Sequence, residues 1–320
     1  FKQKTAYEIM PSLVGSEMCI RDSYWKGFRK YYTISAKPGD VIIARFDRLF
    51  RDKILGYVSF YHRSNKILPL LFIFFFFIIL ITGKKGIRAI LALILIYTLL
   101  IFLIYLLKTG ISPVLLALSF AFMSSFLTFI IVLKEKEKLL ASIIGSITGV
   151  GIICIITTLV LKYAYISGIN TYIGRMVTVF VETLQNFRLT DIKGVIICGV
   201  VIATTGAIMD ISAGTSSALY EINRSNPDLK FFQLLKSGFS VGKDVIGTMV
   251  NTLIFVTLGN MILLFLIFYI MKTPYYRFTN FEFFIITLLP GLVGSIGMVL
   301  TVPATVITGC LLYTSPSPRD

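Results

Sequence analysis

Ile67-Leu-Pro-Leu-Leu-Phe-Ile-Phe-Phe-Phe-Phe-Ile-Ile-Leu-Ile-Thr82 carries no charge and no residue more polar than its closing threonine. A soluble core has no use for such a run. A helix crossing about 30 Å of hydrocarbon needs roughly 17–25 apolar residues, and blocks of that order recur along the chain. Hydrophobic residues make up 56% of the 320 positions, above the roughly 45–50% of soluble domains, and the mean hydropathy is +0.84. The expected fold is an all-α polytopic membrane protein of about seven helices, behind a short extracytoplasmic β-like segment.

The seven expected spans are 67–82, 87–107, 111–133, 139–161, 194–212, 245–271 and 283–307. The first three links are so short that neighbouring helices must run antiparallel. The domain reading is 24–66 as a β-like extracytoplasmic remnant and 67–309 as the multispan domain. In the remnant, Tyr31–Ala36, Val41–Ala44 and Gly56–Tyr61 have strand composition, the first two joined by the turn Lys37-Pro38-Gly39-Asp40. Residues 1–23 and 310–320 resemble translated sequencing-adapter strings and are expected to be artefacts of assembly.

Net charge is +15, from 31 Lys+Arg against 16 Asp+Glu. These basic residues sit in the links, where lipid headgroups account for them. No basic face with interleaved aromatics exists, which excludes a nucleic-acid partner. Lys84, Lys85, Arg88, Lys134, Lys136, Lys138, Arg224, Lys230, Lys236 and Lys243 fall on one side of the expected topology. Fewer fall on the other, so the first side is expected to be cytoplasmic, in a bacterial plasma membrane. A surface helix is expected within 162–193, and a second short one from Asn226-Pro227 to Gly238.

His62 is the only histidine, and no Cys/His cluster, Ser-His pair, HExxH or Walker motif occurs. No metal, no cofactor and no enzymatic activity are expected.

What chemistry the sequence offers lies in the fifth and sixth spans. Gly199, Ala203, Gly206, Asp210, Gly214, Ser217 and Glu221 recur at steps of three and four, one helical face of small and acidic residues. Ser240, Asp244, Thr248, Asn251 and Gly259 do the same on span six, with Lys243, Gly247 and Thr252 beside them. A carboxylate within a membrane helix is costly and points to a partner or to water. Asp210 and Asp244 are expected at similar depth near the cytoplasmic end. Two acids close together could hold a proton between them, which suits a proton-coupled carrier. Gly145 and Gly149, with Gly199, Gly206, Gly214 and Gly247, are the expected helix-packing glycines. Span seven adds Gly291, Gly294, Ser295, Gly297 and Thr301, with Pro290 and Pro303 expected to bend it.

Two strings here resemble the YibE/F-like family of bacterial multipass membrane proteins. One is Gly206-Ala207-Ile208-Met209-Asp210 with the small-residue run to Leu219-Tyr220-Glu221. The other comprises Asn226-Pro227-Asp228-Leu229 and then Ser237-Gly238-Phe239-Ser240-Val241-Gly242-Lys243-Asp244-Val245-Ile246-Gly247-Thr248-Met249-Val250-Asn251-Thr252-Leu253. The resemblance extends from about residue 31 to 309 and implies an N-terminal anchor preceding an external segment. It names no biochemical activity. Lys243 stands where the family pattern often has Arg, which keeps the charge and loses the bidentate fork.

The leading expectation is therefore a permease or ion/proton-coupled carrier for an unknown small solute or ion. Its binding residues would be Asp210, Ser217, Glu221, Lys243, Asp244, Thr248, Asn251 and Thr252. The alternative is a membrane-bound accessory protein whose external β-module recognises a partner and whose polar stripe only packs helices; a second copy or a paired family member is the further partner expected.

Overall fold

Apolar helices joined by links of a few residues leave the chain little choice but to run back and forth, and the computed structural model shows that arrangement. It describes residues 42–49, 53–61, 64–107, 109–133, 135–168 and 192–314. They fall into two units, Phe1–Gly83 and Lys84–Asp320.

In the first unit β1 (Ile42–Leu49) pairs antiparallel with β2 (Lys53–Tyr61), in a register that sets Phe46 opposite Gly56 and shifts between Ile43 and Ala44. The expected run at 31–36 and its turn lie outside the described residues. Helix α1 (Ser64–Thr82) follows, and Gly83 ends it with φ +56, donating its N–H to the Ile79 carbonyl at 2.8 Å. The apolar part of α1, Ile67–Thr82, is shorter than the other candidate spans. At 1.5 Å per residue it reaches about 24 Å, short of the hydrocarbon thickness.

The second unit contains α2 (Lys84–Leu107), α3 (Pro113–Val132), α4 (Lys136–Tyr163), α5 (Ile192–Ser225), α6 (Phe231–Ile270), α7 (Tyr275–Thr279) and α8 (Glu282–Thr314). All but α7 are long and apolar enough to cross a membrane. The described residues thus hold six such helices and one shorter, where the reading of the sequence counted seven spans.

Three elements run further than their apolar blocks. Helix α6 has 40 residues and continues straight through Gly238, where a separate short helix had been expected to stop. The reason is packing: a Cβ on Gly238 would meet Val306 at 2.9 Å and Leu219 at 3.0 Å, so this glycine serves close approach within the helix. Asn226-Pro227-Asp228 forms the preceding turn, and the helix opens at Phe231 with the Gln233 side chain accepting the Lys230 N–H at 3.1 Å. Helix α5 has 34 residues, which moves Asp210 from the expected helix end to mid-helix. Helix α8 runs unbroken through Pro290 and Pro303 and ends at Thr314, within the segment 310–320.

Helix α8 is the centre of the bundle, packing against α4, α5 and α6, while α3 bridges α5, α4 and the peripheral α2. Small residues make these approaches. Gly145 faces Thr305, Gly149 faces Thr301 and Ile208, and Gly297 faces Ile153, an antiparallel register of α4 on α8. The core is rich in hydroxyls, with Ser142, Ser146, Thr204, Ser212, Ser216, Thr301 and Thr305 all fully buried. Most return their proton to the preceding turn, as Thr301 does to the Gly297 carbonyl at 2.8 Å. That habit satisfies most of the hydroxyl donors in an apolar bundle, while Ser142 finds no partner among the described residues.

Candidate functional site

The polar stripe of α5 is placed by elimination. Helices α3, α4, α6 and α8 all pack on α5. Ser216 donates to the Lys138 carbonyl of α4 at 3.0 Å, Ile208 lies by Gly149, and Thr204 lies by Gly294 of α8. Among the described residues, the face left uncovered is the stripe itself. Gly199, Ala203, Gly206, Asp210 and Gly214 are all exposed, and the space above the three glycines is open. Asp210 forms no hydrogen bond or ion pair among the described residues.

Helix α6 presents a second open face. Lys243, Asp244, Gly247, Thr248, Asn251 and Thr252 are exposed. Two contacts fix the register of α5 against α6: Thr204 and Leu253 meet beside Gly294, and Leu219 lies against Gly238. That register sets Asp210 level with Gly247 and brings Asp244 within about one turn of the same depth. Thr248 donates its hydroxyl proton to the Val245 carbonyl at 3.0 Å, and Thr252 to the Thr248 carbonyl at 3.0 Å. With the proton directed inward, each oxygen presents lone pairs outward, as a cation ligand must.

Other expected site residues are placed elsewhere. Ser217 is half-buried two turns along. Glu221 lies three turns from Asp210, about 16 Å by helical rise, and pairs with Lys138 at 3.6 Å. Of the expected packing glycines, Gly145 and Gly149 meet α8, whereas a Cβ at Gly199, Gly206, Gly214 or Gly247 would meet nothing within 4 Å among the described residues.

The sequence reading missed the groups that tie the helix ends. Lys138 counted there only as a topology signal. In the structure its side chain is 12% exposed, lies 3.9 Å from the Tyr220 ring centroid and pairs with Glu135 at 3.5 Å as well as with Glu221. The Tyr220 ring in turn meets Tyr313 of α8 edge-on. At the opposite end Glu282 accepts from the Gly168 N–H and from the Ser167 hydroxyl. These pairings join residues far apart in sequence, and no local spacing announces them. Cys154, Cys198 and Cys310 are free and buried. Among the described residues no three His, Cys, Asp or Glu side chains gather as a metal site would require.

Six spanning-length apolar helices around a hydroxyl-rich core define the class, a multipass helical membrane protein. The YibE/F-like protein family model matches residues 70–315, and the chain belongs to that family. No curated protein and no solved structure matches it.

Proposed function

We propose that this chain is a non-enzymatic, ion- or proton-coupled permease of the bacterial plasma membrane, with its polar pathway along α5, α6 and α8. The carrying observation is Asp210: a carboxylate at mid-helix, without a partner among the described residues, on a face kept open by Gly199, Gly206 and Gly214. An anionic group at that depth is costly against lipid and suits a wet path or an arriving cation. Asp244, Thr248, Asn251 and Thr252 supply oxygens at neighbouring depths, and Ser217 extends the route toward the Lys138 end. Lys243 would balance charge. Glu221 then belongs to the closure of that end through Lys138.

The test is flux in proteoliposomes holding the purified chain, against protons, alkali cations and a panel of small solutes. Wild type should move at least one of them, and Asp210→Asn should slow that flux at least about tenfold, one decade being 1.4 kcal/mol. Equal flux in the two proteins would refute the permease.

A second reading draws on the empty space over Gly199, Gly206 and Gly214, which would also admit a helix from a second copy or a paired family member. In that accessory role the hairpin β1–β2 would serve as an external recognition module. Bulky residues at Gly206 would then abolish association in detergent while leaving solute flux unaffected.

A further inference from the structure

Where α4, α6 and α8 end together, opposite Lys138, the chain forms a cleft of about 600 Å³ between the turn after α4 and the junction of α7 with α8. The turn is held in place. Tyr165 and Gly168 adopt φ of 52 and 78, the left-handed region that lets the chain reverse, and Glu282 at the start of α8 receives the Gly168 N–H. Ile166, only 2% exposed, anchors the turn in the core. The opposite wall, α7, is fastened by Phe278, whose ring packs with Phe268 at 4.9 Å and Phe284 at 4.3 Å between centroids.

Two opposite charges line this cleft without closing on each other. Arg277 and Glu282 are five positions apart, and no ion pair joins them or engages Arg277 elsewhere among the described residues. Glu282 spends one carboxylate oxygen, Oε1, on Gly168 and Ser167, and the other has no partner among the described residues. Tyr165 and Tyr276 add rings to the walls, and Asn280 adds an amide whose nitrogen already donates to the Tyr276 carbonyl at 2.7 Å.

The geometry points to a binding site for a zwitterion, an anionic phosphate or carboxylate joined to an ammonium, with the ethanolamine headgroup of a phospholipid as occupant. Arg277 takes the phosphate, since its guanidinium fork fits two oxygens at once. The other oxygen of Glu282 takes the ammonium, assisted by the tyrosine faces. Phe281, which is exposed, and the half-buried Ile285 give the cleft an apolar wall, where the first methylenes of the acyl chains would lie. This site is independent of the transport reading, because it lies at a helix-end boundary and shares no residue with the Asp210 face.

The test uses the full chain, purified and delipidated in detergent. Adducts are followed by native mass spectrometry, and thermal midpoints against dioleoyl-phosphatidylethanolamine, dioleoyl-phosphatidylglycerol and soluble phosphoethanolamine. Phosphatidylethanolamine should bind about tenfold more tightly than phosphatidylglycerol. Arg277→Gln should weaken both by a similar factor, whereas Glu282→Gln should remove only the preference between them. The Gln carbonyl still accepts from Gly168, so the turn is retained. Should that variant nonetheless misfold, Arg277→Gln, at an exposed position, decides the matter alone through loss of phosphatidylethanolamine. Phosphoethanolamine binding as tightly as the lipid would keep the zwitterion site and assign it to a soluble solute. Equal binding of both lipids, unmoved by Arg277→Gln, would overturn the site.

Discussion

Asp210 and Glu221 occupy one helical face, three turns apart, and the structure gives them opposite circumstances. Glu221 has a cation at 3.6 Å, while Asp210 has none among the described residues. Their substitutions should therefore separate. Glu221→Gln and Lys138→Met loosen the end of the bundle, where a partly exposed ion pair and a cation–π contact contribute about 1 kcal/mol. Either should lower the thermal midpoint in detergent while leaving the substrate affinity of the remaining folded protein unchanged. Asp210→Asn should do the reverse, keeping the midpoint and slowing coupled flux at least about tenfold, one decade being 1.4 kcal/mol. Thr248→Val removes an oxygen at the same depth without changing charge. It should weaken apparent ion affinity several-fold, measured as the half-saturating cation concentration for flux.

Helices show why glycines of equal appearance in sequence differ in consequence. Gly149 faces Thr301 and Ile208 across the α4–α8 contact, so Gly149→Leu forces two helices apart. Overpacking of that kind costs about 1–3 kcal/mol, read as a lower midpoint and reduced yield. Gly206 faces open space, and Gly206→Ala should stabilise the isolated chain by up to about 1 kcal/mol through helix propensity. A fall in midpoint at Gly206→Ala would show that another helix covers this face in the assembled protein. Helix α6 adds a length argument. Its 40 residues rise about 60 Å, twice the hydrocarbon thickness, so part of it stands outside the membrane. In inside-out vesicles, cysteines placed singly at Phe232 and Gln233 should react with a membrane-impermeant maleimide, whereas one at Met261, fully buried, should not.

For the molecule as a whole, the Lys138 and Glu282 ends carry different chemistry. One joins α4, α5 and α8 through a lysine, two glutamates and two tyrosine rings. The other pins a turn with one glutamate and leaves a cleft beside it. The excess of lysine and arginine at the Lys138 end predicts that it faces the cytoplasm. In right-side-out vesicles a cysteine at Lys136 should stay unlabelled by an impermeant reagent and one at Arg277 should react; the opposite pattern inverts the topology.

The long apolar runs that follow 67–82 determine a helical membrane protein by length and hydropathy alone, because the backbone in hydrocarbon must satisfy its own hydrogen bonds. The strings around Asp210 and Asp244 likewise suffice for the family. Periodicity also shows that the small and acidic residues of α5 share one face, since 3.6 residues per turn is a property of the helix itself. Which way that face points is a different matter. It depends on four neighbouring helices, and their contacts at Lys138, Gly149, Gly238 and Gly294 leave the stripe uncovered among the described residues. The same holds for Gly238, which reads as a helix stop until Val306 and Leu219 are seen against it. Local spacing sets a side chain's direction about its own helix axis; only tertiary packing decides what lies in that direction.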